Sequence, residues 1–224
     1  MRLLGTVTPG QAPRADLLPI LDAALPPGVQ RIDVGILDGL TRPEIERDFA
    51  PEPGGAVIVA RILDGTSVTM DKAKVQAAIQ NKIDALEAEG CTTILVLCTG
   101  DFEGFTTRRA RLVEPEKVLQ PALTALTSGA QVGILVPLQE QIATEGGKWA
   151  GFSHPPLYAA VTPYGPDDEA LKSAARDLAD RGAELLMTDC MGFVEHHRQA
   201  AAEASGLPVI LACALVAKLA AEVV

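Results

Sequence analysis

Short apolar runs bounded by polar or glycine-containing turns recur along the whole chain. "RLLGTV" (Arg2 to Val7), "AVIVARI" (Ala56 to Ile62), "TTILVL" (Thr92 to Leu97), "QVGILV" (Gln131 to Val136), "AELLMT" (Ala183 to Thr188) and "LPVILA" (Leu207 to Ala212) are nearly continuous in Val, Ile, Leu and Ala. Continuity without alternation is the mark of strands covered on both faces, as in a parallel sheet. Between them the apolar period changes to that of a helix. "DKAKVQAAIQNKIDALEAEG" sets Val75, Ile79, Ile83 and Leu86 on one face and stops at Gly90; "GPDDEALKSAARDLADRG" opens on Pro166 with acidic residues behind it and stops at Gly182. Alternating strands and helices predict an α/β fold with mainly parallel sheets. One interruption is "AVIVARILDGTSVTM", where Asp64-Gly65 between two strand-like runs predicts a β-hairpin near residues 56–70. A second, "AGFSHPPLYAAVTPYGP", is rich in Pro and Gly without being polar, and predicts an ordered connection with a short strand near Tyr158 to Val161.

The pattern also repeats. Gly90-x7-Cys98-x-Gly100 matches Gly182-x7-Cys190-x-Gly192, and "GTVTPGQ" (Gly5 to Gln11) matches "GILVPLQ" (Gly133 to Gln139) through Gly-x3-Pro-x-Gln. The matches fall in the same order, which predicts two similar α/β/α lobes related by pseudo-two-fold symmetry. The first half holds about 36 more residues between its motifs than the second, an excess that contains the hairpin. The expected boundaries are 1–114 for the first lobe, 115–206 for the second, and 207–224 for a C-terminal strand and helix returning to the first lobe.

Composition narrows the function. The chain has 224 residues, 48% hydrophobic and 21% charged, enough for two lobes with cores of their own. A formal net charge of -10 with no basic block argues against nucleic acid and anionic membranes as partners. No apolar run reaches the length of a membrane span, and the first residues lack the pattern of a signal peptide, so a cytoplasmic protein is expected. Cys91, Cys98, Cys190 and Cys213 have neither CxxC spacing nor scaffold density, and are read as free thiols.

Parallel sheets bind ligands beyond the carboxyl ends of their strands. Cys98 and Cys190 each follow a strand there, and lobes facing across a crevice would bring two thiols to one ligand. Two opposed thiols suit proton transfer at a carbon beside a carboxylate, one removing a proton and the other supplying one, with no cofactor. The backbone N-H groups around Thr99-Gly100 and Met191-Gly192 are candidates to hold the thiolate or a substrate anion. Thr8, Gln11 and Arg14, just after the first strand, are candidates for the substrate carboxylate, Arg14 through its bidentate fork. Asp101, Glu103 and Asp189 work the other way, because negative charge disfavours a thiolate. Arg108, Arg109 and Arg111 could draw anions in or sit on a solvated face; His196 and His197 could be a supporting base or surface residues. Cys91 and Cys213 are read as core. Zinc-ligand spacing is missing, and there is no Walker A, GxGxxG or GxSxG motif, so neither a metal nor a nucleotide cofactor is expected.

"TPGQAPR", "DGTSVTM", "LCTGDF" and "TDCMGF" together make the chain resemble AroM proteins, within the aspartate/glutamate/hydantoin racemase superfamily, along essentially its whole length. The resemblance implies two α/β lobes, a small-acid site between them and one cysteine from each lobe as acid and base, at Cys98 and Cys190. Superfamily amino-acid racemases follow the first cysteine with Asn-Thr and the second with Thr-His; this chain has Thr99-Gly100 and Met191-Gly192. The superfamily also holds isomerases and decarboxylases of small acids, and its two-lobed enzymes are often dimers. The expectation is a cofactor-independent racemase, epimerase or isomerase of a small carboxylic acid, as a possible homodimer. The alternatives are a non-catalytic small-acid sensor and a decarboxylase or lyase.

Overall fold

A computed structural model describes residues 2–143 and 147–224. The elements run β1 (Leu3–Thr8), α1 (Leu18–Ala24), β2 (Gln30–Gly35), α2 (Arg42–Asp48), β3 (Val57–Arg61), β4 (Ser67–Asp71), α3 (Lys72–Ala88), β5 (Thr93–Val96), β6 (Arg111–Val113), α4 (Pro115–Leu126), β7 (Val132–Val136), α5 (Gln139–Ile142), β8 (Leu157–Ala160), α6 (Glu169–Asp180), β9 (Leu185–Thr188), α7 (Glu195–Ser205), β10 (Val209–Leu211) and α8 (Ala212–Ala221). The chain divides into two compact units. One holds the residues up to Pro115 with Ala217–Val224, the other Glu116–Val216.

Each unit is built on a four-stranded parallel sheet, ordered β2-β1-β5-β6 in the first and β8-β7-β9-β10 in the second. The strands therefore correspond one for one. Registers correspond as well: Gly5 pairs with Ile94, four residues before Cys98, and Gly133 pairs with Leu186, four residues before Cys190. The approach to each central strand is also repeated. Gly90 (φ +93°) and Gly182 (φ +94°) end α3 and α6 in the left-handed conformation that glycine adopts without strain, and the next N-H returns to the helix, Cys91 to Leu86 O and Ala183 to Leu178 O, both at 3.0 Å.

The core follows the apolar periods. Val75, Ile79, Ile83 and Leu86 of α3 are all 1% exposed or less, and each such side chain contributes about 1.5–3 kcal/mol of burial. Asp71 caps α3 by accepting the Lys74 N-H at 3.0 Å. They pack with Val7, Ile94, Val96 and Phe102 in the first unit. In the second, β7 is buried throughout, and Leu171, Ala175 and Leu178 of α6 are buried.

The antiparallel β3-β4 hairpin is a separate sheet. Its loop has three residues, Leu63 to Gly65, closed by Ile62 N-H to Thr66 O (2.9 Å) with Gly65 at φ +87°. Helix α2 and this hairpin lie between β2 and α3, where the second unit passes from β8 to α6 without either; they account for the longer first half. Three expectations need correction. The 207–224 segment does not return to the first lobe as a whole, because β10 bonds to β9, and only the chain from Ala217 groups with the first unit, where Val223 O accepts from Thr93 Oγ1 and Arg111 Nη1. Helix α6 begins at Glu169, leaving Pro166 in the loop before it. Strands β2 and β6 were not anticipated. No helix among the described residues is long and apolar enough to cross a membrane.

Candidate active site

Both cysteines stand two residues beyond the end of a central strand, Cys98 after β5 and Cys190 after β9. The chain then turns back on the sulfur. Gly100 N-H donates to Cys98 Sγ at 3.4 Å, and Gly192 N-H donates to Cys190 Sγ at 3.3 Å. A hydrogen bond from a backbone N-H favours the charged form of its acceptor, so both turns support a thiolate. Each thiol is partly exposed, as a group that meets a ligand must be. Thr99 and Met191, between cysteine and glycine, are buried at 6% and 3% exposure.

The charges near the thiols differ between the units. Asp101 and Glu103 are exposed, where water screens them. Asp189 is buried, and Lys148 Nζ lies 2.6 Å from its Oδ2. The sequence raised a single negative charge beside Cys190; the structure has a compensated pair, which sequence reasoning missed because Lys148 is 41 residues away.

The first-strand candidates form a connected group within the first unit. Thr8 is buried at the end of β1 and accepts the Gly10 N-H. Gln11 donates from Nε2 to Leu37 O (3.2 Å) and Leu40 O (3.0 Å) and accepts the Leu63 N-H at Oε1 (2.8 Å). Its amide thus ties the loop after β1 to the chain at Leu37 and Leu40 and to the hairpin. Arg14 is buried and grips Asp16 through Nε (2.9 Å) and Nη2 (2.7 Å), and Arg61 Nη1 is 3.9 Å from Asp16 Oδ2. Gln11, Arg14, Asp16, Arg61 and Leu63 line a cavity of about 140 Å³, small beside the roughly 300–1,000 Å³ of pockets for drug-sized ligands. Arg61 was not singled out by sequence. Its one mark in the sequence is a lone charge inside "AVIVARI", which names no partner.

Burial works to raise the Asp16 carboxyl, but the hydrogen bonds and charge of Arg14 outweigh it and hold the group below its ordinary value. Its stabilising contribution is therefore present above the unfolded-state carboxyl value and disappears as pH falls through the lowered folded one. Asp16→Asn is expected to lower the urea midpoint at pH 7, with the gap to wild type closing as pH drops through the carboxyl range. A gap that stays constant between pH 7 and pH 3 would contradict this.

The remaining candidates are placed elsewhere. Arg108 and Arg109 are exposed, and their N-H groups donate to the Glu87 carboxylate, while Arg111 opens β6. Cys91 is buried, and burial, then Glu89, pushes its thiol up. Cys213 is buried and donates to Phe193 O at 3.0 Å. Asp168, His196 and His197 have ligand atoms within 4.8 Å of one another. Yet His197 is buried, unlike the exposed His196, and its Nδ1 accepts the Val194 N-H at 2.9 Å. That puts the proton of the neutral ring on Nε2, the atom facing Asp168 at 3.9 Å, so this arrangement is not set for a metal.

A family model described as AroM protein matches residues 4–224. The chain belongs to the AroM family. No curated protein matches it in sequence. Among solved structures, this AroM chain is similar to Picrophilus torridus aspartate racemase (TM-score 0.64, 13% identity, covering 100% of this chain and 94% of that one). It is likewise similar to unliganded arylmalonate decarboxylase (0.60, 13%, 99% and 92%) and to Nocardia farcinica maleate cis-trans isomerase bound to TRIS (0.60, 18%, 97% and 89%). At these identities the likeness is one of fold. It places the AroM chain on a scaffold that carries racemases, a decarboxylase and an isomerase.

Proposed function

We propose that this protein is a cofactor-independent racemase, epimerase or isomerase of a small carboxylic acid, with Cys98 and Cys190 as the proton-transferring pair. The observation that carries the reading is the duplicated turn: two thiols, each beyond a central strand and each accepting the N-H of a glycine two residues on. A single buried cysteine is a small hydrophobe in most folds. Two partly exposed ones, each in the same turn after a strand, suit the proposed acid-base pair.

In the reaction, one cysteine acts as thiolate and the other as thiol. The thiolate takes the proton from the carbon next to the substrate carboxylate; its S-H bond forms as the C-H bond breaks, and the electron pair moves into the carboxylate as an enolate. The opposing thiol delivers its proton to the other face of that carbon and becomes the thiolate. Stereochemistry inverts, the cysteines exchange roles, and proton exchange with water resets them. Backbone N-H groups at Thr99-Gly100 and Met191-Gly192 are candidates to receive the enolate charge. Thr8, Arg14 and Arg61 would receive the carboxylate, held in place by Gln11 and Asp16.

Incubation with amino, hydroxy and unsaturated dicarboxylic acids in D2O, followed by NMR, tests this directly. Loss of the Cα-H signal without loss of carbon is the expected result for one class of acid. Release of CO2 would instead move the chain to the decarboxylase reading. Binding of an acid with neither exchange nor CO2 release would overturn catalysis in favour of a sensor.

A further inference from the structure

Leu97 and Asp189 occupy corresponding positions. Each precedes its cysteine, each is 4% exposed, and each donates its N-H at 2.8 Å to the equivalent neighbouring strand, Leu97 to Val7 O and Asp189 to Leu135 O. The two units are alike around their thiols in strand order, register, helix cap and N-H to sulfur bond, but here one has a hydrocarbon and the other a carboxylate. That carboxylate is paired with Lys148 at 2.6 Å, the side chains being 6% and 1% exposed, and its other oxygen, Oδ1, accepts no hydrogen bond among the described residues. Burying an ion pair is expensive, and its desolvation cost is seldom recovered as stability. A hydrophobic pair would fill the space at less cost, as Leu97 does in the first unit.

We propose that Lys148 is a positioning residue for Cys190: through its ion pair with Asp189 it cancels the negative charge beside that sulfur and keeps the thiolate of Cys190 accessible. The role in turnover rests on the two-thiol reading above; the charge coupling does not. Lys148 need not touch substrate. It acts because a full charge on the adjacent residue, at the effective dielectric of about 20 that suits protein interiors, is worth about one pH unit on its neighbour. The pairing also makes the two turns unequal, since Leu97 carries no charge at the position that Asp189 holds in the second unit.

Other titratable groups surround this turn. Tyr164 packs its hydroxyl against Gly192, Cys213 donates to Phe193 O, and Asp168, His196 and His197 lie at the starts of α6 and α7. They stay constant across the variants that follow, so differences report on Lys148 and Asp189.

The experiment is the pH dependence of iodoacetamide alkylation, read separately at Cys98 and Cys190 by peptide mass spectrometry on the full chain. Lys148→Met leaves Asp189 uncompensated and is expected to raise the Cys190 midpoint by about one pH unit. The double variant Lys148→Met with Asp189→Asn removes both charges and should return it to the wild-type value, while Cys98 does not move in either protein. A purely structural role would shift both cysteines, or neither, and would not be reversed by the second substitution. A Cys190 midpoint within 0.3 of wild type in folded Lys148→Met overturns the proposal. If Lys148→Met does not fold, Asp189→Asn carries the test alone: a lowered Cys190 midpoint supports the coupling and an unchanged one overturns it. The measurement needs no substrate, so a midpoint shift with no isotope exchange would sink the proposed reaction and leave the coupling standing. Exchange with unshifted midpoints would do the reverse.

Discussion

Replacing either Cys98 or Cys190 by serine is expected to reduce substrate-dependent exchange of the Cα proton by about 10²–10⁴-fold, the contribution typical of a positioned acid or base. Serine keeps the approximate size and the hydrogen-bonding turn but lowers the acidity constant of the transferable proton by several orders of magnitude, so a large loss with the fold intact points to proton transfer and not to packing. The two variants need not fail identically. Removing the thiol that abstracts from one enantiomer blocks exchange of that enantiomer in D2O, whereas removing its opposite leaves abstraction possible and blocks inversion. Measured on each enantiomer separately, Cys98→Ser and Cys190→Ser should therefore show mirror-image residual exchange, and that pattern would assign a face to each thiol. Equal, near-wild-type rates in both variants would end the two-thiol mechanism. Circular dichroism of each variant, unchanged from wild type, completes the comparison.

The duplication that motivates this experiment was legible in sequence because the physics behind it is local. Gly90 and Gly182 are needed where a helix ends with positive φ, continuous apolar runs mark strands covered on both faces, and a cysteine-x-glycine turn follows each. Strands β2 and β6 were invisible for equally local reasons. The charged Arg31 and Asp33 of "QRIDVG" interrupt the apolar pattern, and only the fold supplies their partners: Thr6 Oγ1 donates to Asp33 Oδ1 at 2.5 Å, and Arg31 bonds both Asp33 and Asp22. The three residues of β6 are too few to show a period. Within the site, Cys98, Cys190, Thr8 and Arg14 could be selected by their position after strands. Arg61 and Lys148 could not, because what matters about them is where distant chain returns: the hairpin brings Arg61 to Asp16, and the turn after residue 146 brings Lys148 to Asp189. Long-range pairing of charges has no sequence period to reveal it.

Gly192→Ala is expected to be among the most damaging single-methyl additions in the protein, destabilising it by about 1–3 kcal/mol as overpacking does in close-packed interiors, and disturbing Cys190 with it. A Cβ on Gly192 would lie 2.5 Å from Tyr164 Oη, 2.7 Å from the ring carbon bearing it and 2.8 Å from Pro163 Cγ. Neither neighbour yields readily, since the proline ring is fixed to its backbone and the tyrosine is a rigid plane, so the turn itself must move. That turn carries the N-H that bonds Cys190 Sγ. Gly100, its counterpart, would set its Cβ 2.9 Å from Ile58 Cδ1 and 3.1 Å from the edge of the Phe102 ring. An isoleucine terminus can rotate away, and Gly100→Ala should therefore cost less. Urea unfolding of the two variants measures the difference, and Tyr164→Ala decides its origin: combined with Gly192→Ala it should recover part of the loss, as expected of residues in contact. Additive costs would place the strain elsewhere. If Gly192→Ala also slows alkylation of Cys190 while leaving Cys98 at its wild-type rate, the glycine is required for the geometry that makes this sulfur reactive, and the packing of the loop from Pro163 to Tyr164 becomes part of the chemistry of the site.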